Sequence, residues 1–219
     1  INMSLSAGAG NAQDPISQAA NNAVDEGVIV CAAAGNRGKY ESIGSPAAAR
    51  DVITIGATKD NTSIAYFSSK GPVRFQYFIK PEVVAPGVNI NSTYLNNTFQ
   101  PFSGTSMASP HVAGVCALIK QEDSELTPQA VKSLLMNNAG DMRERVMAQG
   151  AGFVDALKAV EQKVICIPGK LDFGRNDYKP GLWQEDSELT IVNRGNDLQE
   201  VTFSVEHELP QGVTIDIEP

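Results

Sequence analysis

Seven successive residues, Val28-Ile29-Val30-Cys31-Ala32-Ala33-Ala34, are apolar without a polar interruption. A strand of that kind needs both faces covered, the condition of a parallel sheet with helices above and below it. The preceding residues supply the crossover. Asp14 offers an N-cap, Pro15 suits the first helical position, Ile16, Ala19, Ala20, Ala23 and Val24 recur at helical spacing, and Gly27 closes the segment. Ile1 to Leu5 reads as a further short strand, so residues 1–34 form a βαβ unit. Val52-Ile53-Thr54-Ile55-Gly56-Ala57 gives another buried strand. The fold class is α/β, a parallel sheet with helices on both faces.

Residues 104 to 115 read Gly-Thr-Ser-Met-Ala-Ser-Pro-His-Val-Ala-Gly-Val, a glycine-led turn that places Ser106 on the first turn of an apolar helix. Unpaired N–H groups and the positive end of the helix favour negative charge developing there, so Ser106 is the candidate nucleophile. Asn36 ends the small-residue strand through Gly35, and a side-chain amide at that point can donate to the oxyanion of a tetrahedral intermediate. The backbone N–H of Ser106 is the expected second donor. Thr105 and Ser109 carry hydroxyls too, read here as local hydrogen-bonding groups of the loop and helix.

The two segments together resemble the subtilisin-like serine proteases, the subtilases, and the likeness runs from Ile1 to about Gln162. It implies a subtilisin-like catalytic fold and hydrolysis of peptide bonds through an acyl-enzyme. It also implies an extended substrate lying against Ser4-Leu5-Ser6 and Ala33-Ala34-Gly35, with Gly44 at the floor of the P1 pocket. Small residues there imply a wide slot for a large apolar side chain, and Ser6 departs from the glycine usual in the family. Many members bind calcium, but no calcium ligands are identified in this sequence, and no other cofactor is implied. The interval between Asn36 and Ser106 is too short for the protease-associated domain that some larger members carry there.

A serine triad needs a histidine touching the serine and a carboxylate orienting that histidine. The chain has two histidines. His111 follows Ser106 by five positions, which on a helix is about 140° around and roughly 7.5 Å along, so it cannot serve its own serine. His207 falls in the alternating stretch Val201-Thr202-Phe203-Ser204-Val205-Glu206-His207, where a strand-surface residue is expected. Asp60, Asp123 and Asp141 lie in loop-like surroundings, and Glu122, Asp123 and Glu125 read as a solvated helix end. In the family the triad aspartate and histidine precede the strand that Ile1–Leu5 resembles. The resemblance therefore implies an upstream half carrying both, and a chain that is inactive alone.

After the serine helix, Thr127-Pro128 opens a helix through about Asn138, and Gly150–Ala156 resembles the glycine turn and final helix of the catalytic domain. Beyond Val164 helical periodicity gives way to alternation in Leu189–Val192 and Val201–Val205, separated by the turn-type sequence Asn193–Asp197. Residues 1–162 are thus expected to be the C-terminal part of a catalytic domain. Residues 163–219 are expected to begin an immunoglobulin- or fibronectin-like β domain, for which about 100 residues are needed in full.

A net charge of −8 argues against a nucleic-acid partner, and no apolar run approaches the ~18 residues of a membrane span. The expected partner is a polypeptide substrate, and the resemblance places the protein outside the cell or on its surface. Cys31, Cys116 and Cys166 cannot all pair within the chain, and Cys31, in an apolar strand, and Cys116, inside an apolar helix, read as small core residues. Two function classes follow: part of a serine endopeptidase, or a noncatalytic binding or adhesion module on the same scaffold. An upstream segment bearing the missing acid and base separates them.

Overall fold

The computed structural model describes residues 1–8, 10–175, 181, 183–205, 209 and 211–218. Strands β1 (Asn2–Met3), β2 (Cys31–Ala33), β3 (Ile53–Thr58) and β4 (Val83–Pro86) lie side by side in that order, each pair parallel. Asn2 pairs with Cys31, Cys31 with Ile53, and Ile55 with Val83. Successive side chains of β2 point to opposite faces. Ala32, with Val30 and Ala34, packs beneath α1 (Pro15–Asp25), which contributes Ala20. Cys31 packs with Ile53, Ile55 and Val83 beneath α2 (Thr105–Glu122), whose Val112, Val115, Cys116 and Ile119 cover the other face. Both faces of the sheet are therefore covered, as the uninterrupted apolar run requires.

Local chemistry sets the helix starts. The Asp14 carboxylate accepts from the Ser17 N–H at 2.8 Å, and the Thr127 hydroxyl accepts from the Ala130 N–H at 3.2 Å. Between β4 and α2 in chain order, β5 (Ile90–Tyr94) and β6 (Thr98–Phe102) form an antiparallel hairpin whose side chains are largely exposed. Helices α3 (Pro128–Asn137), α4 (Val146–Gln149) and α5 (Ala156–Glu161) follow, and α3 and α5 pack on α2.

The packed core runs past the expected boundary at 162. Strand β7 (Val164–Ile167) lies against α3 with Ile165 fully buried in the α2-side core, and pairs antiparallel with β8 (Thr190–Asn193). Lys170 donates to the Ile79 carbonyl and meets Glu82 at 3.0 Å, and Asp172 accepts from the Ile79 N–H at 2.6 Å. Of the alternating segments, 190–193 is a strand and 201–205 is not. Val201, Phe203 and Val205 are exposed, so no facing layer repays their ordering into a strand. His207 lies outside the described residues.

Glu82 is the electrostatic centre of this end of the molecule. It is fully buried and meets Lys80 at 2.9 Å, Lys132 at 3.3 Å and Lys170 at 3.0 Å, while its Oε2 also accepts from the Thr54 N–H at 2.8 Å. Burial alone would raise its pKa, but the Lys132, Lys170 and Lys80 ammonium groups outweigh that and hold the carboxyl well below the usual range.

Candidate active site

Ser106 sits at the second position of α2, half-buried, with Gly104 immediately before the helix. Its hydroxyl donates to the Ser4 carbonyl at 3.1 Å, and the Ser4 hydroxyl donates to the Ser106 carbonyl at 2.8 Å. The second bond has a cause in the sequence. Pro110, four residues on, has no N–H to offer the Ser106 carbonyl, which is left for Ser4. Asn2 extends the link, donating to the Ser4 hydroxyl at 3.0 Å and accepting from the buried Ser109 hydroxyl at 2.7 Å. Ser109 therefore ties β1 to α2 rather than serving its own helix.

Asn36 is oriented by Thr105. Its side-chain oxygen accepts from the Thr105 N–H and the Thr105 hydroxyl, both at 2.9 Å, and the same hydroxyl accepts from the Gly35 N–H at 3.1 Å. A backbone N–H can only donate, so the amide is fixed with its oxygen toward Thr105 and its Nδ2 turned the other way. A Cβ built on Gly104 would stand 3.3 Å from Asn36 Nδ2 and 3.7 Å from the Ser106 nitrogen. Two donors thus flank one spot that the absent side chain of Gly104 leaves open. Thr105, fully buried, is a positioning residue across 69 positions of sequence, which its local reading did not anticipate.

The substrate-side residues divide into two groups. Ser4, Leu5 and Ser6 are exposed, beyond the end of β1. Ala33 lies in β2, and the N–H groups of Ala34 and Gly35 are committed to the Ile55 carbonyl at 2.9 Å and the Thr105 hydroxyl at 3.1 Å. The N–H groups of Ala34 and Gly35 are thus engaged within the protein. Gly44 is buried, and its N–H donates to the Ala34 carbonyl at 3.0 Å. The Ser6 hydroxyl projects between the two glycines. A Cβ on Gly44 would collide with Ser6 Oγ, and one on Gly35 would stand 2.8 Å from it. Ser6 thus stands at the rim formed by Gly35 and Gly44. A cleft of 560 Å³ opens on another side of Asn36, lined by Lys59, Ile64, Tyr66, Phe67 and Val88 among others.

His111 turns its Nδ1 to the Met107 carbonyl at 2.8 Å, within its own helix. The three aspartates are engaged elsewhere. Hydrogen bonds from Thr62 and Ser63 pull the Asp60 carboxyl down to about 2. Asp123 pairs with Arg194 at 3.2 Å, and Glu122 meets Lys163 at 3.5 Å, so this helix end is bridged to the following segment rather than merely solvated. Asp141 accepts from the Arg143 N–H and Gln149 Nε2, both at 2.8 Å. Among the described residues no group of three carboxylate, thiol or imidazole side chains converges on one point.

Comparison with known proteins places this geometry. A sequence profile of the subtilase family matches residues 1–158. Serine protease AprX of Bacillus subtilis (strain 168) is 38% identical over 171 residues, covering 68% of this chain and 38% of that protein. Subtilisin Savinase of Lederbergia lenta is 39% identical over 155 residues, covering 71% of this chain and 54% of that protein. Among solved structures, a protease of Pseudoalteromonas arctica superposes with a TM-score of 0.63 at 32% identity, covering 73% of this chain and 50% of that one. The prenylagaramide maturation protease PagA gives a TM-score of 0.63 at 27% identity, covering 74% of this chain and 60% of that one. The chain belongs to the subtilase family of serine proteases. It spans 38% of the length of AprX and 54% of that of Savinase. No helix among the described residues is long and apolar enough to cross a membrane.

Proposed function

We propose that the chain is the serine-bearing part of a secreted or cell-surface subtilisin-type endopeptidase acting on polypeptides. The observation that carries this reading is the pair of donors, Asn36 Nδ2 and the Ser106 N–H, flanking one spot beside Gly104. In the complete enzyme Ser106 Oγ bonds to the scissile carbonyl carbon as its proton passes to a histidine base. The carbonyl oxygen becomes an oxyanion held by the two donors. The C–N bond then breaks, the histidine returns the proton to the leaving amine, and water releases the acyl group by the reverse sequence. Ser4, Leu5 and Ser6 supply the strand for the substrate, Ala33, Ala34 and Gly35 the opposite wall, and Gly44 the floor.

The histidine and its aspartate belong, on this reading, to an upstream polypeptide. The face of α2 bearing Pro110, His111, Gly114, Ala117 and Leu118 is exposed, and a Cβ on Gly114 would meet nothing within 4 Å. That face and the outer edge of β1 are the surface on which the upstream half would seat. Residues 163–219 are read as the start of a β domain, supported by the antiparallel β7–β8 pair.

A fluorophosphonate reports the reaction directly. The 219-residue chain alone should not be labelled, and labelling should appear on adding the upstream half and vanish in Ser106→Ala. Stoichiometric labelling of the chain alone would reveal a base within it. No labelling in either arrangement would favour the noncatalytic module.

A further inference from the structure

The cysteines Cys31 and Cys116 read in sequence as unrelated small core residues, but the fold brings their sulfurs to 3.8 Å. Cys31 lies on β2 and Cys116 on α2, and they are 1% and 4% exposed. We propose that this pair is an oxidation site that closes to an intramolecular disulfide between the central helix and the second strand. A disulfide needs its sulfurs about 2 Å apart, so each side chain has to close roughly 0.9 Å from contact. Cys166, half-buried on β7, stands outside the Cys31–Cys116 contact and serves as the internal control.

The environment favours closure over other fates of a thiol. Among the described residues no third ligand of the thiol, imidazole or carboxylate type joins the pair, so a tetrahedral metal site is not built here. The thiol hydrogen bond holds Cys31 below the ordinary range, and that bond together with burial holds Cys116 above it. At this contact distance either sulfur can attack first; written with Cys31 as the first, Cys116 resolves it.

The co-reactant is a small hydroperoxide, able to reach a buried sulfur through local opening. Cys31 sulfur attacks the peroxide oxygen and the O–O bond breaks, leaving a sulfenic acid and releasing the first water with the Cys31 proton. Cys116 sulfur then attacks Cys31 sulfur. The S–O bond breaks, the S–S bond forms, and the sulfenic hydroxyl leaves with the Cys116 proton as a second water. Two thiols are oxidised by two electrons and one hydrogen peroxide is reduced to two waters.

The closed bond would act on the layer that bears the site. From Cys31 the chain runs five residues to Asn36, and from Cys116 it runs back ten residues to Ser106, each about 15 Å. The bond therefore pins helix to strand at the end remote from the two donors. It closes a loop across 85 positions, which removes freedom from the unfolded chain.

The test is made on the purified protein exposed to hydrogen peroxide, then denatured and alkylated without reductant. The expected result is one alkylated cysteine, Cys166, an intact mass lower by two hydrogens, and a cross-linked peptide containing Cys31 and Cys116. The midpoint of thermal unfolding should rise by roughly 5–15 °C on oxidation, fall back with dithiothreitol, and not respond in Cys116→Ala. Three alkylated cysteines after oxidation, a cross-link through Cys166, or Cys31 carried on to sulfinic acid would each overturn the proposal. The chemical readout is taken on the unsubstituted protein, so a poorly folding variant leaves it decisive.

Discussion

Asn36 and Thr105 act as one unit, with distinct consequences for each. On the proposed mechanism, replacing Asn36 with leucine in the complete enzyme removes a donor that acts only when the oxyanion forms. It should lower kcat by roughly 10²–10³ with little change in KM, measured by steady-state kinetics on a peptide substrate. Thr105→Val keeps the backbone bond to Asn36 but strips the hydroxyl that holds both Asn36 and the Gly35 N–H. It should cost about 1–3 kcal/mol of stability in urea denaturation and lower kcat less than Asn36→Leu. Equal losses of kcat would make Thr105 more than a positioning residue. The places of Ser106 and Asn36 in the fold were legible in the sequence because each ends a local pattern, a glycine turn into a helix and a strand into an amide. Thr105 and Ser109 were not, because their partners lie 69 and 107 residues away and no local pattern records which way a hydroxyl turns.

At the scale of elements, β4 is held in place through the charge just before it. Glu82 engages α3 through Lys132 and the segment after β7 through Lys170. Glu82→Gln leaves three lysines without their carboxylate and should destabilise by roughly 3–5 kcal/mol, read from the urea midpoint. The pH dependence follows from the lowered pKa of this group. Above the unfolded value, about 4.3, both states are ionised and its contribution is complete. As pH falls below that value the unfolded chain gains a proton that folded Glu82 resists, so stability is lost toward acid until the folded group also protonates. Between pH 6 and 3 the unsubstituted protein should lose stability more steeply than Glu82→Gln. Strands β1 to β3 and helix α1 were readable from apolar runs, periodicity and caps, whereas β4 was not read as a strand. The β5–β6 hairpin was not, because neither strand buries a face that would imprint alternation on it.

For the molecule as a whole, packing carries across the change of sequence texture: Ile165 and Val192 pack with the core, and Arg194 pairs with Asp123. The reason is physical: Ile165 fills the core and Lys170 completes the shell around Glu82, and neither contact is visible in composition. A protease of broad specificity should therefore cut within 183–205 before it cuts within 164–172, as mass spectrometry of early fragments would report. Early cleavage within 164–172 would restore the boundary to residue 162.

The register of the parallel sheet bears on how the chain reaches this state. Asn2 meets Cys31, Cys31 meets Ile53, and Ile55 meets Val83, so every rung joins residues more than twenty positions apart. Loop-closure entropy is spent before any rung rewards it, which makes assembly slow and leaves the apolar run of β2 open to other copies meanwhile. Refolding from denaturant should show a rate independent of protein concentration but a yield that falls as concentration rises, measured by light scattering alongside fluorescence. Dilution, more than cooling, is then the lever that recovers this protein from the unfolded state.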